Sequence, residues 1–230
     1  MNKRLIIYCE GQTEEMLVER LLRQELQMHG VKVERPILAA TSFDPDGQRG
    51  GFVNWDAIKF DLQQEFESSN DPNLRFTTFL DVFRMPPKIL KEAGFTGPVS
   101  AVQDVETVER AMENEFSEPR FKAYLQRHEL EALVLADIDA LENVFPRHKP
   151  GIQQLRTDIA IFGNPEDINH GDATHPAARL ETAVPGYTKN LKSSRAYFVL
   201  AQAGLGSIRA KCPRFDAWLR GWERWGEAIA

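Results

Sequence analysis

The chain has 230 residues, of which 42% are hydrophobic and 27% are charged, and its formal net charge is −6. These values are typical of a globular protein with one large domain, or with one core domain and an appended helical part. No apolar run reaches the roughly 20 residues of a membrane span, and the start of the chain lacks the apolar core of a signal peptide. The two cysteines, Cys9 and Cys212, are too few for a disulfide framework or a cysteine-based zinc site. We therefore expect a cytoplasmic protein that does not cross a membrane.

The charges are unevenly distributed along the chain. Residues 1–150 hold 18 basic and 26 acidic side chains, whereas residues 151–230 hold 10 and 8. Between Thr188 and Arg220 there are seven lysines or arginines and one acid. An acidic part that can bind metal, beside a basic segment that can bind phosphates, is compatible with a phosphodiester substrate. A solvated helix face gives the same count, so charge alone does not separate the two interpretations.

The chain begins with an apolar run, Leu5 to Cys9, that leads directly into Glu10 and Gly11. Such a run predicts a buried strand of a parallel sheet, and the glycine permits a tight turn after it. Thr13 then predicts a helix N-cap, followed by acidic residues in the first turn. Glu10 is thereby placed at the carboxyl end of a strand, where open α/β sheets bind their ligands.

The elements that follow alternate between helices and strands. In chain order we predict a helix that contains Val18 to Leu26 and ends at His29-Gly30, a strand within 31–40, a loop at 44–51, a helix from Trp55 to Phe66, a strand from Phe76 to Leu80 that ends on Asp81, a helix from Val105 to Phe116 and a strand from Phe121 to Leu125. This order indicates an α/β fold with three layers and a mostly parallel central sheet.

The second part of the chain carries only helical patterns. Apolar spacing predicts one helix from about Glu129 to Val144, and then short helices with loops. Phe215, Trp218, Trp222 and neighbouring apolar residues form an aromatic stripe at helical spacing, which we interpret as a packing face. We place an α/β core at 1–145 and a helical C-terminal extension, packed on that core, at 146–230.

Acidic residues follow three of the predicted strands. Glu10 follows the first, Asp81 the third, and His128-Glu129-Leu130-Glu131 follows the fourth. Carboxylates that share a site at neutral pH require a cation, and hard oxygen ligands favour Mg²⁺ or Mn²⁺. Each residue also has a structural interpretation: Asp81 can cap a loop, Glu131 can be a surface acid and His128 can bond to the backbone near a helix start. The coincidence of the three positions favours a metal site.

Five short motifs occur in order along the chain. They are Glu10-Gly11-Gln12-Thr13-Glu14, Leu80-Asp81, His128-Glu129-Leu130-Glu131-Ala132-Leu133, Pro165-Glu166-Asp167-Ile168-Asn169 and Cys212-Pro213-Arg214-Phe215-Asp216-Ala217-Trp218. This set resembles a bacterial Toprim-like family of unknown function, related to the Toprim domains of the overcoming-lysogenization-defect nucleases. The resemblance implies a Toprim-like α/β fold and hydrolysis of a nucleic acid.

The resemblance also implies roles for individual residues. Glu10 and Glu14 match the paired acids of the first nuclease motif, and Asp81 matches the first acid of the second. The second aspartate of that motif is absent, because the chain reads Asp81-Val82-Phe83, and Glu131 is then expected as a further ligand. Lys189 is expected to offset charge on the reacting phosphate. The supporting residues are expected to be His128, Glu129, Glu166, Asn169 and Arg179.

Two functions remain open at this point. The first is a phosphodiesterase dependent on Mg²⁺ or Mn²⁺, which cleaves DNA or RNA in a defence or mobile-element setting beside an ATPase partner. Its catalytic residues would be Glu10 and Lys189, and its metal ligands Glu10, Glu14, Asp81 and Glu131. The alternative is a non-catalytic Toprim-like module that binds an ATPase.

Overall fold

A computed structural model describes residues 3–39, 55–83, 85, 91, 105–168, 171–188 and 192–228, apart from the side chains of residues 192 and 193. The chain forms two compact units. Unit 1 contains Met1–Leu125 and Trp222–Ala230, and unit 2 contains Gln126–Gly221. The predicted loop at 44–51 lies outside the described residues.

The first strand, β1 (Lys3–Cys9), lies in the middle of a six-stranded sheet. It pairs in parallel with β2 (Val31–Val33) and β3 (Ile37–Leu38) on one side and with β4 (Leu74–Asp81) on the other. Beyond β4, the sheet continues through β5 (Phe121–Lys122), also in parallel. The α/β fold with a mostly parallel sheet and a central first strand is confirmed.

Strand β1 is covered on both faces. Ile6 and Tyr8 pack with the apolar residues of α3 (Trp55–Ser68) and α4 (Val105–Phe116). Leu5 and Ile7 point to the opposite face, because side chains alternate along a strand, and both are fully buried. Burial on both faces explains why the sequence of β1 is continuously apolar rather than alternating.

The helix after β1 starts earlier than predicted. Helix α1 (Gln12–Leu17) has Gly11 as its N-cap, so Thr13 lies inside the first turn and the predicted N-cap was wrong. The side chain of Glu14 accepts a hydrogen bond from Gly11 N at 3.0 Å. A glycine has no side chain to cap the helix, and the acidic residue at the third helical position satisfies a free N–H of the turn instead. A π-helical turn (Val18–Leu22) joins α1 to α2 (Arg23–Met28), which ends at His29-Gly30 as predicted.

Two predicted strands are interrupted. The strand expected within 31–40 is divided into β2 and β3, with Pro36 between them, because proline has no N–H to donate to a neighbouring strand. The strand expected over Phe121 to Leu125 is divided into β5 and β6 (Leu125–Gln126). In the gap, Tyr124 N donates to Thr78 Oγ1 at 2.9 Å, and that hydroxyl donates to Tyr124 O. A side chain of β4 thus replaces the missing backbone bonds.

Unit 2 is helical, and none of its described residues beyond Gln126 forms a strand. Its helices are α5 (Glu131–Val134), α6 (Ile138–Val144), α7 (Lys149–Ile159), α8 (Pro176–Ala183), α9 (Lys192–Lys211) and the first part of α10 (Pro213–Glu227). The single helix predicted from Glu129 to Val144 is two helices. Asp137 ends the continuity, because its side chain accepts a hydrogen bond from Ala140 N at 2.9 Å and caps α6.

The end of α10 belongs to unit 1, where it returns to the start of β1. Lys3 Nζ donates hydrogen bonds to the carbonyl oxygens of Trp225, Gly226 and Ala228. Phe215, Trp218 and Trp222 are buried, so the aromatic stripe is a packing face as predicted. Among the helices of the described segments, none combines the length and apolar character needed to span a membrane.

Candidate functional site

The carboxyl ends of β1 and β4 bring Glu10 and Asp81 together in unit 1. The two strands run parallel, with Cys9 opposite Phe79, so the residues that follow them leave the sheet at the same edge. Glu10 N donates to Phe79 O at 3.2 Å, and Asp81 N donates to the Glu10 carboxylate at 3.0 Å. The predicted proximity of Glu10 and Asp81 is therefore present in the structure.

Glu14 lies one helical turn after this strand end and is buried, whereas Glu10 and Asp81 are half-buried. One oxygen of the Asp81 carboxylate is inaccessible to solvent. This part of unit 1 thus carries three carboxylates, of which one is buried, although among the described residues their oxygens do not all lie within 4.8 Å of one another. Carboxylate oxygens are hard ligands, so this set fits Mg²⁺ or Mn²⁺ better than a metal that prefers nitrogen or sulfur.

The pKa of the Cys9 thiol is affected by negative charges near the end of β1. Burial is the main cause that raises the pKa of Cys9 far above its ordinary value, and the carboxylates of Glu14, Glu15 and Glu19 raise it further. Carboxylates on α1 and on the following turn therefore make the potential around the last residue of β1 negative. A cation at this edge of the sheet would be attracted by the same field.

Unit 2 contains the acids of the His128 to Leu133 motif, and they are buried. His128, Glu129 and Glu131 are at most 5% exposed. His128 has a φ of 67°, a left-handed backbone conformation that is uncommon for residues other than glycine. The motif is thus folded into the interior of unit 2, and Glu131 is not a surface acid of α5.

Glu129 binds the beginning of α8. Its Oε1 atom lies 3.0 Å from His175 Nδ1, and it accepts a short hydrogen bond from Ala177 N. The carboxylate satisfies one of the free N–H groups in the first turn of α8, where negative charge is stabilised by the helix dipole. This contact gives Glu129 a structural role within unit 2.

Tyr187 lies near the same acids and was not predicted. It is fully buried, and its pKa is raised far above its ordinary value, first by burial and then by the charges of Glu131 and Glu129. His175 was missed as well. Neither residue belongs to a recognisable motif, since each is brought to the acids by the path of the chain through unit 2.

The remaining predicted residues have the following positions. Glu166 is buried and accepts hydrogen bonds from Arg214 N at 2.8 Å and Phe215 N at 3.1 Å, at the start of α10. Arg179 Nε donates to Thr174 O at 2.6 Å, and its guanidinium lies 5.4 Å from the centre of the Phe162 ring. Lys189 and Asn169 lie outside the described residues.

The fold and the site define an α/β protein whose central parallel strands end on carboxylates, followed by a helical unit with a buried acidic motif. The chain belongs to the family described as a domain of unknown function (DUF4276), whose model matches residues 9–223. No curated protein and no solved structure matches the chain significantly. The family match includes the carboxylates of unit 1 and the buried acids of unit 2.

Proposed function

We propose that the chain is a phosphodiesterase dependent on Mg²⁺ or Mn²⁺, with a Toprim-like core and a DNA or RNA substrate. The observation that carries this proposal is the contact between Glu10 and Asp81 at the ends of two neighbouring parallel strands. Such a strand end is where α/β sheets bind ligands. The resemblance of the five motifs to the nuclease branch of the Toprim proteins supplies the reaction class.

In this proposal Glu10, Glu14 and Asp81, all in unit 1, supply hard oxygen ligands for the metal. When bound, Mg²⁺ or Mn²⁺ would lower the pKa of a coordinated water and stabilise the leaving oxygen of the phosphodiester. The hydrogen bond from Asp81 N fixes the Glu10 carboxylate at the strand end before any ligand arrives. Preorganisation of this kind lowers the cost of assembling the site.

Phosphate binding is assigned to cations on the chain. Lys189, which lies outside the described residues, keeps the role that the resemblance implies, which is to offset negative charge on the reacting phosphate. Arg179 is proposed as a supporting residue. Its Nε donates to Thr174 O, which fixes the orientation of the guanidinium.

A second function is favoured by a specific observation. Glu10 and Glu14 both accept backbone hydrogen bonds within unit 1, and position 83, where the second aspartate of the motif would stand, holds a phenylalanine. Acids with structural contacts, next to a motif that lacks its second aspartate, are what a non-catalytic Toprim-like module would retain. Such a module would bind an ATPase partner and cleave nothing.

Two substitutions of nearby glutamates, one at the end of β1 and one in α1, separate the two functions. Glu10→Gln keeps the acceptor for Asp81 N but removes the charge, so cleavage of labelled DNA or RNA in Mn²⁺ should fall by at least about 100-fold. The matched control is Glu15→Gln, because Glu15 is a nearby glutamate in the first turn of α1 and has no proposed ligand role. Its activity should stay within about twofold of the unmodified protein.

Absence of cleavage by the unmodified protein in Mg²⁺ and in Mn²⁺, on both nucleic acids, would contradict the enzymatic proposal. Equal activity of the Glu10→Gln and Glu15→Gln proteins would remove Glu10 from the catalytic machinery. Co-purification with an ATPase, combined with either result, would favour the partner module.

A further inference from the structure

Unit 1 also contains a group of side chains of the types that can bind metal, at the end of the sheet opposite to Glu10. It consists of Glu25 and His29 at the end of α2 and Glu223 on α10. One ligand atom from each residue lies within 4.8 Å of the other two. The strands start at this end, since β1 begins at Lys3, and Lys3 binds the carbonyl groups of the last turn of α10.

The imidazole of His29 is oriented by a fourth side chain. Its Nδ1 atom lies 2.6 Å from the carboxylate of Glu227, which leaves Nε2 directed toward the other two acids. Nε2 lies 3.9 Å from Glu25 Oε1 and 3.9 Å from Glu223 Oε1. These distances are too long for hydrogen bonds, so Nε2 faces a gap between two carboxylates. A carboxylate that holds the second nitrogen of a histidine is a common feature of metal sites.

The size of the gap suits a small divalent ion. Zinc binds imidazole nitrogen and carboxylate oxygen at about 2.0–2.1 Å with tetrahedral geometry, which separates two ligand atoms by about 3.4 Å. The two distances of 3.9 Å exceed this value by about 0.5 Å, a difference that a small rotation of a glutamate side chain removes. The side chains are also sheltered, with exposures of 26% for Glu25, 31% for His29 and 10% for Glu223.

The backbone holds the two helices together at this point. Gly226 is so close to the turn after α2 that an added Cβ would lie 2.1 Å from His29 O and 2.6 Å from a methyl group of Val31. Lys3 adds hydrogen bonds to the carbonyl groups of Gly226 and Ala228, at 3.3 and 2.6 Å. The positions of Glu223 and His29 are therefore fixed by main-chain contacts, independently of any ion.

We propose that Glu25, His29 and Glu223 bind a zinc-class divalent metal ion, with Glu227 as the residue that orients His29 and with water as the remaining ligand. One nitrogen and two carboxylate donors favour Zn²⁺ over Mg²⁺, which requires oxygen ligands in an octahedron. The ion would tie the end of α2 to α10 within unit 1. This structural site is separate from the proposed catalytic carboxylates and does not depend on them.

Zinc titration in excess Mg²⁺ tests the site, because Mg²⁺ occupies hard-oxygen sites during the measurement. Isothermal titration should show one Zn²⁺ per chain, and Co²⁺ in place of Zn²⁺ should give visible absorption bands of tetrahedral coordination. His29→Gln and Glu25→Gln should each weaken Zn²⁺ binding by at least about tenfold. The matched control His148→Gln, at a histidine of unit 2, should leave the affinity unchanged.

The Glu10→Gln protein should bind Zn²⁺ as the unmodified protein does, which keeps this test distinct from that of the catalytic proposal. Circular dichroism of each variant shows whether it is folded, and Glu25→Gln replaces His29→Gln if the latter is not. Equal Zn²⁺ affinity in the folded Glu25→Gln or His29→Gln protein and in the His148→Gln protein would overturn the proposal. So would the absence of Zn²⁺ binding up to about 1 mM.

Discussion

At the scale of single residues, the structure shows that an acid can have a backbone partner and still be suited to bind metal. Glu10 accepts one hydrogen bond from Asp81 N, and Glu14 accepts one from Gly11 N. A carboxylate offers about four lone-pair positions, so an accepted backbone hydrogen bond does not by itself prevent it from binding a cation. The structural and catalytic interpretations of Glu10 are therefore compatible, and only a measurement of charge removal separates them.

An ion pair near the surface of unit 1 allows a prediction of how the stability of the fold depends on pH. Two N–H groups of Arg120 donate to the two carboxylate oxygens of Glu118, each at 2.9 Å. The bond to Arg120 is the main cause that lowers the pKa of Glu118. A carboxyl group whose pKa is lower in the folded protein stabilises the fold above its unfolded pKa of about 4.5, and this stabilisation is lost as pH falls through the folded pKa.

Glu118→Gln should therefore cost about 1 kcal/mol of unfolding free energy at about pH 6 and less at about pH 3. Urea denaturation of both proteins at the two pH values measures the difference. Glu67→Gln is the control, because Glu67 is exposed on α3. A cost for Glu118→Gln that stays constant over this pH range would show that the ion pair does not carry the effect.

At the scale of elements, the start of α10 depends on a residue far away in the sequence. Glu166 accepts hydrogen bonds from the N–H groups of Arg214 and Phe215, which are the second and third residues of α10. Burial is the main cause that raises the pKa of Glu166, and these two N–H groups act in the opposite direction. Glu166 thus acts as the cap of a helix that begins with a proline.

Glu166→Ala should lower the unfolding free energy of the protein by about 1–3 kcal/mol, because it leaves two N–H groups of α10 without their acceptor. The control is Asp167→Ala, which removes a partly exposed ion pair with Arg127 and should cost at most about 1 kcal/mol. Chemical denaturation measures both values. Loss of nuclease activity without loss of stability in the Glu166→Ala protein would instead assign Glu166 to the catalytic site.

The pattern of apolar residues was sufficient to predict the strands and helices that are held mainly by the burial of their apolar side chains. Strands β1 and β4 are apolar because both faces are covered, and α3 and α4 carry apolar residues at helical spacing. The sequence pattern gave wrong boundaries where a single polar contact determines the local structure. Asp137 caps α6 and so divides a continuous helical pattern into two helices. Gly11 rather than Thr13 is the N-cap of α1, because the Glu14 side chain accepts the hydrogen bond of the N-cap N–H.

For the candidate site, the sequence predicted Glu10 and Asp81 because strand ends can be located from apolar runs. The Glu25, His29 and Glu223 group was not predictable in the same way. Its members come from α2 and α10, and their proximity depends on the close approach of Gly226 to the turn after α2. Local periodicity carries no information about that approach.

At the scale of the whole molecule, each of the two units contains some of the acids that the sequence motifs singled out. Glu10, Glu14 and Asp81 lie in unit 1, and Glu131 lies buried in unit 2. The family model matches residues 9–223, a range that includes both sets of acids. The central claim is that the carboxylates of unit 1 bind a hard divalent cation and that Glu10 is required for it.

The most direct measurement of this claim is the melting temperature with and without Mn²⁺, in proteins that carry His29→Gln so that the second group cannot contribute. A cation that binds only the folded protein raises its melting temperature by mass action. The account predicts a rise in the His29→Gln protein and the same rise after addition of Glu15→Gln. Addition of Glu10→Gln should abolish most of it. An equal rise in all three proteins, or no rise in any of them, would contradict the account.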